Sequence, residues 1–424
     1  MTLIKTKSSD LFVFATSLII FIVPLITDQA TLPKGWELPK VYFLQLAIFI
    51  LITCFCLHRL STKKKLLQRV SLKIPGAIAA ILVLSSVVNL DFVRAGREES
   101  PIYNFLRFSG APETILGNVF RDSGLIMLLL LLGFALVLIE IAEKRHLRLL
   151  LTTLLFAILL QSFIAILQFT QLANNSPSLL TRGYVFGTFG QKNHLSGFLL
   201  SGIVIALYQL KHGGIHFRTF NALAAAVTII AIILTQSHMA LIISGVTFFL
   251  AVGFEFGLLK KRTRLILGSA LLIFITLPVI IVLLDRDYRY RLFIWETVLR
   301  SYLAVSDLSQ LKYLLIGSGP DTLADFLLRT NGNLHVYIDR AHNFILDIFS
   351  ISGVAGILLF FFLLQKFMRK FRRRLLNRDV FYLGLLVLSW MLRGLAHESS
   401  VVNIFQIALF VPLFMIAGTQ SSKK

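Results

Sequence analysis

Stretches of almost unbroken apolar residues recur along this chain, roughly at 11–27, 41–57, 74–90, 124–142, 149–170, 194–210, 219–235, 240–259, 265–284, 343–364, 380–396 and 401–417. Each is close to the about 20 residues that a helix needs to cross a bilayer core. The pattern predicts an all-α fold: a polytopic membrane helix bundle of about 12 transmembrane helices, built as a single integral membrane domain over 1–424. One interval breaks the rhythm. From Asp285 to Ala341 the chain is polar, rich in Arg and aromatics, and ends at His342-Asn343. It predicts one large loop over 285–342, and in a chain of spans and short connections such a loop is where recognition or chemistry belongs. Neither an internal repeat nor a low-complexity tract is visible.

Charge orients the spans. The connections Arg59–Lys73, Lys144–Arg148, Lys211–Arg218, Lys260–Arg264 and Lys366–Arg378 are basic and almost free of acid. All of them fall on one side if the spans alternate, together with Lys5, Lys7, Lys423 and Lys424. Basic connections are retained on the cytoplasmic face, so the loop is expected to be extracytoplasmic and both termini cytoplasmic. Leu11–Ile26 is expected to be a retained span, because no small-x-small cleavage site follows it.

Composition adds little beyond class. Apolar residues make up 56% of the chain and charged residues 15%, with 37 Phe and a mean hydropathy of +0.80, which is membrane-protein composition. The formal charge of +21 needs no nucleic acid, since basic runs lying against anionic membrane lipid account for it. Cys54 and Cys56 share one span and are too close together to bridge, so they say nothing about redox compartment or metal.

Candidate chemistry collects on the loop side, in four places: Arg182 through Asn193, Gln236-Ser237-His238, the loop itself, and Arg393 to Ser400. His342 stands out, because a neutral imidazole accepts a proton from a hydroxyl nucleophile near neutral pH. The competing reading is a histidine that only caps a helix start. Arg286, Arg289 and Arg291 crowd together, and a guanidinium suits a two-pronged grip on phosphate. Arg291-Leu292-Phe293-Ile294-Trp295 opens an amphipathic helix that would present Arg291 on one face and leave the Phe and Trp in the membrane interface. Asp285-x-Asp287 could suggest a divalent metal, but no further carboxylate cluster or His partner accompanies it, so no metal and no cofactor are expected. Gly317-Ser318-Gly319-Pro320 is a turn; it lacks the Lys-Ser/Thr continuation of a phosphate loop.

Five pieces in this order resemble the O-antigen ligase and polymerase family of bacterial envelope enzymes. They are Gly187-Thr188-Phe189-Gly190-Gln191-Lys192-Asn193-His194, Leu234-Thr235-Gln236-Ser237-His238, Arg291 to Trp295, Gly317 to Pro320, and Ala341-His342-Asn343-Phe344-Ile345-Leu346, which continues to Gly353-x-x-Gly356. The resemblance spans about 10–417 and implies a C-type glycosyltransferase-like bundle. It implies a polyprenyl-pyrophosphate-linked glycan as donor and a glycolipid, glycan or protein as acceptor. His342 would be the catalytic base, and Arg291 would contact the donor pyrophosphate. Arg289, Arg340, Asn343, His238, Arg182, Lys192 and Asn193 are the further substrate-binding candidates. The family commonly carries Arg where this chain has His238, so the phosphate clamp falls to protonated His238 or to Arg182, Lys192 or Arg340.

Ligase and polymerase use the same donor and differ in acceptor; the single His-Asn motif and the single large loop favour the ligase. A lipid-linked sugar transporter is the alternative of another class. Against it, intramembrane charges are few (Glu140, Glu255 and Asp347), and no paired half-chain repeats are visible.

Overall fold

The computed structural model describes residues 8–27, 38–92, 113–116, 124–173, 185–211, 214–257, 286–304, 308–330, 338, 340–395 and 401–419. Helix makes up 83% of these residues, and no strand occurs among them. The helices are α1 (Ser8–Ile22), α2 (Leu38–Ser61), α3 (Lys73–Val88), the single turn α4 (Glu113–Leu116), α5 (Leu125–Ile141), α6 (Lys144–Ala173), α7 (Lys192–Gln209) and α8 (Ile215–Leu234). They continue with α9 (His238–Glu255), α10 (Arg286–Leu303), α11 (Leu308–Ile316), α12 (Leu323–Thr330), α13 (Phe344–Arg373), α14 (Arg378–Gly394) and α15 (Val401–Thr419). Six are long and apolar enough to cross a membrane: α1 with the turn that follows it, α2, α6, α8, α9 and α13. Helices α3, α5 and α15 are apolar but shorter. The stretch expected at 265–284 lies outside the described residues.

Helix α7 is the centre of the bundle, packed by α6, α8, α9 and α14 and buried on nearly every face. Its small residues explain how so many neighbours approach it. Gly197 lies directly against the Arg393 side chain of α14, and Gly202 against Ile158 of α6 and Thr228 of α8. Small residues at such crossings bring backbones close where no hydrophobic driving force separates helix from lipid.

The bundle has two chemically different ends. At one, acids and bases pair across helix termini: Lys144 with Asp379 at 2.8 Å, Arg378 with Glu255 at 3.1 Å, Arg59 with Glu140 at 3.3 Å, and Arg145 with Asp10 at 2.6 Å. Glu140 and Glu255, read in the sequence as intramembrane charges, are thereby members of this paired end. Glu140 also accepts from the backbone N–H groups of Gln68 and Arg69, which clamps the connection after α2. At the opposite end, α7, α9, α13 and α15 begin and α14 finishes. The length of α7 separates the two ends by about 26 Å.

The interval expected as a loop is largely helical, holding α10, α11 and α12. Helix α10 buries Ile294, Val298 and Tyr302, a stripe at four-residue spacing, and leaves Leu292, Phe293 and Leu299 exposed. The Gly317–Pro320 turn after α11 docks into a break in α13, where Gly353 takes φ 60 and ψ −156. The fit is backbone against backbone: a Cβ on Gly353 would stand 2.4 Å from the Leu315 carbonyl carbon, and one on Gly317 would stand 2.4 Å from Ser352 N. The break leaves the Ser350 carbonyl to accept from Ser318 N at 2.8 Å and from the Tyr302 hydroxyl at 3.2 Å. Burial raises the Tyr302 phenol above its ordinary range, so it stays a protonated donor. From α3, Asn89 donates to the Gly317 carbonyl at 3.0 Å and Ser85 to the Ile351 carbonyl.

Gly353→Ala should therefore destabilise the purified protein by about 2–4 kcal/mol, the sum of a glycine-only backbone and an overpacked contact. Gly245→Ala in α9, with open space around it, should be neutral or mildly stabilising. Thermal unfolding of both variants in the same detergent checks the contrast.

Candidate functional site

The polar end of the bundle is assembled from helix termini, and Asn193 in the first turn of α7 joins three of them. Its side-chain oxygen accepts from the Ser237 hydroxyl at 3.1 Å, which ties it to the start of α9. Its carbonyl accepts from Arg393 at 2.8 Å, which ties it to the end of α14. Next along α7, the His194 carbonyl accepts from Asn403 of α15 at 3.3 Å, and the Asn403 carbonyl accepts from Trp390 at 2.8 Å. Because Ser237 bonds across to Asn193, it does not cap its own helix; neither α9 nor α7 has a side-chain hydrogen bond at its N-cap. No side chain closes either helix start, and the positive ends of both dipoles lie at this end of the bundle. Lys192 opens α7 and is half-buried; His238 opens α9 and is exposed.

Asn343 is a structural cap in this geometry. Its side-chain oxygen accepts from the backbone of Ile345 at 3.0 Å and Leu346 at 3.3 Å, and its amide donates to the Leu395 carbonyl at 3.0 Å. Beside it, half-buried His342 adopts φ 53, a left-handed conformation uncommon outside glycine. The backbone is held there from two directions. Asp347 accepts from Ala341 N at 2.9 Å, and the Trp295 indole donates to the Ala341 carbonyl at 2.9 Å. Asp347 is therefore a first-turn carboxylate that fixes the entry to α13. The backbone that carries the imidazole is thereby fixed on both sides of the peptide before His342.

Trp295 brings α10 to the site. Its ring packs against the cluster of Leu200, Met239 and Ile243, so it points into the bundle and not, as the sequence suggested, into a membrane interface. Tyr290 and Phe293 are exposed aromatics of that helix. Arg291 stands four residues before Trp295, on the same helical face, and is half-buried. Arg340 forms an ion pair with Asp321 at 2.8 Å, the aspartate side chain being fully buried. Its charge is thus engaged within the protein, and it links the turn after α11 to the segment before His342.

The structure therefore brings His342, Asn343, Asn193, Lys192 and His238 to one end, and Trp295 carries Arg291 there. Arg182 and Asp285 lie outside the described residues, as do the side chains of Arg289 and Asp287. No group of three His, Cys, Asp or Glu side chains able to hold a metal occurs among the described residues. Arg393, 1% exposed, was visible in the sequence only as part of a polar interval; its burial beneath Gly197 is a tertiary fact. No protein-family model and no curated protein matches this chain.

Replacing Trp295 by Phe keeps most of the packing but leaves the Ala341 carbonyl without that donor, a loss of about 1 kcal/mol. Amide hydrogen exchange over residues 341–347 should then speed up several-fold while exchange in α8 stays unchanged. Unaltered exchange at 341–347 would show that the frame of His342 does not depend on this bond.

Proposed function

We propose that the chain is an O-antigen ligase-like glycosyltransferase of about 12 spans. It moves a glycan from a polyprenyl-pyrophosphate donor to a hydroxyl on a glycolipid, glycan or protein acceptor, at the extracytoplasmic face of a bacterial inner membrane. The observation that carries this reading is the over-determined left-handed backbone at His342, beside a helix bearing Arg291 and facing the bundle end with two uncapped helix starts. Conformations of this kind persist where surrounding contacts hold them, and they concentrate at active sites.

In this mechanism His342 takes the proton of the acceptor hydroxyl as its oxygen bonds to the anomeric carbon. The bond from that carbon to the pyrophosphate oxygen breaks, and the lipid pyrophosphate leaves with the electron pair. A pyrophosphate leaving group needs no general acid, so the remaining requirement is to hold its charge. Arg291, Lys192, His238 and the N-termini of α7 and α9 supply that. Arg340, already paired with Asp321, acts by positioning the chain before His342. Inversion at the anomeric carbon and independence of metal follow from the same scheme.

His342→Asn is the informative variant, because Asn also tolerates a left-handed backbone whereas Ala at φ 53 would add strain. It should fold normally and lose about 10²–10⁴-fold in transfer rate from a purified polyprenyl-pyrophosphate glycan. Arg291→Lys should lose much of the rate although the charge is kept, since an ammonium cannot reproduce a two-pronged phosphate contact. Undiminished transfer by His342→Asn at matched protein level would rule out the base. Equal rates for Arg291→Lys and Arg291→Ala would put the phosphate clamp elsewhere.

A further inference from the structure

At the acid–base paired end, remote from His342, a cavity of about 320 Å³ opens between the start of α1 and the ends of α2 and α5. That is room for a phosphate and the beginning of a headgroup, at the small end of ligand-pocket sizes. Ser8 and Ser9 line it from α1, His58 and Arg59 from α2, Lys64 from the following connection and Glu140 from α5. Lys64 is brought back over the cavity by a tight turn, in which Lys63 takes φ 52 and Lys64 N donates to the Arg59 carbonyl at 3.0 Å.

The charges around the cavity do not cancel. Glu140 is fully buried and already occupied by Arg59 and by the N–H groups of Gln68 and Arg69. Asp10, the acid in the first turn of α1, is turned away onto Arg145 at 2.6 Å and His146 at 3.0 Å. The lining that remains is Lys64 with Ser8 and Ser9, at the end of α1 that carries the positive pole of its dipole. Phe12 and Phe55 form an aromatic wall, with ring centroids 5.9 Å apart, and the His58 ring stands 5.8 Å from Phe12. Their chain neighbours Leu11 and Leu57 are exposed, and α1 and α2 are both long and apolar enough to cross a membrane.

We propose that this cavity binds the phosphate of an anionic membrane phospholipid. Lys64 and the start of α1 hold the headgroup, and the acyl chains lie along the apolar faces beside Leu11 and Leu57. The site is independent of the transfer chemistry proposed for the opposite end. A zwitterionic headgroup is disfavoured, because its cation would be brought up to Lys64.

Native mass spectrometry of the purified full chain titrated with phosphatidylglycerol or phosphatidylcholine tests the site. Lys64 is exposed, so Lys64→Gln should fold and should weaken phosphatidylglycerol retention about fivefold, the effect of one cation at a membrane surface. Ser8→Asp suits a helix start but places an anion in the cavity, and it should weaken retention at least as much. Phosphatidylcholine should bind weakly and equally to all three proteins. Wild-type retention of phosphatidylglycerol in either variant overturns the site. Displacement of phosphatidylglycerol by excess inorganic phosphate overturns the lipid assignment and makes the ligand a soluble phosphate compound.

Discussion

The hydrogen bond from the Trp295 indole to the Ala341 carbonyl decides how the polar interval meets the bundle. On the bundle side, Trp295 packs among Leu200, Met239 and Ile243 from the helices that begin at Lys192 and His238. On the other side, it fixes the residue before His342. One side chain therefore relates the α10 face that carries Arg291, the starts of α7 and α9, and the entry to α13. Chemistry that needs a base and several cations at one point depends on such a link, because displacement by about 1 Å can cost a hundredfold in rate.

The break in α13 serves the same end by another route. A continuous helix would have satisfied its own carbonyls and presented a surface with no place for the Gly317–Pro320 turn. With Gly353 in a glycine-only conformation, the Ser350 carbonyl is left for Ser318 and Tyr302, and the two backbones touch. The hydroxyl network of Tyr302, Ser318 and Thr322 fills the junction without any charge. Asp321, just beyond it, receives Arg340. The turn motif is in this way mechanical: it sets the height at which the segment ending in His342 lies on the bundle.

The helical elements within the apolar stretches were legible in the sequence because twenty-odd apolar residues leave the chain few alternatives to a helix in lipid. The interior of 285–341 was less so. Helices α11 and α12 are short and of mixed composition, and their stability comes from packing onto α3, α10 and α13, which periodicity does not report. Arg291 and Trp295 could be placed on one helical face from spacing alone, but whether that face turned inward depended on the apolar cluster that α7 and α9 present to Trp295. The same holds for Asn193 and Arg393, 200 residues apart in the chain, whose bond is set by tertiary proximity. Asn343 shows the reverse case, since a side chain marked as substrate-binding is engaged as a helix cap.

The central claim is that the bundle has a reactive end and an opposite, acid–base paired end on different sides of the membrane. Substituted-cysteine labelling tests it most directly, after Cys54 and Cys56 are replaced by Ala. His238 is exposed at the first end, and Leu376 is 60% exposed at the other. In intact cells a membrane-impermeant maleimide should label His238→Cys, and Leu376→Cys only after permeabilisation. Labelling of both positions in intact cells would place the two ends on one side and contradict the account.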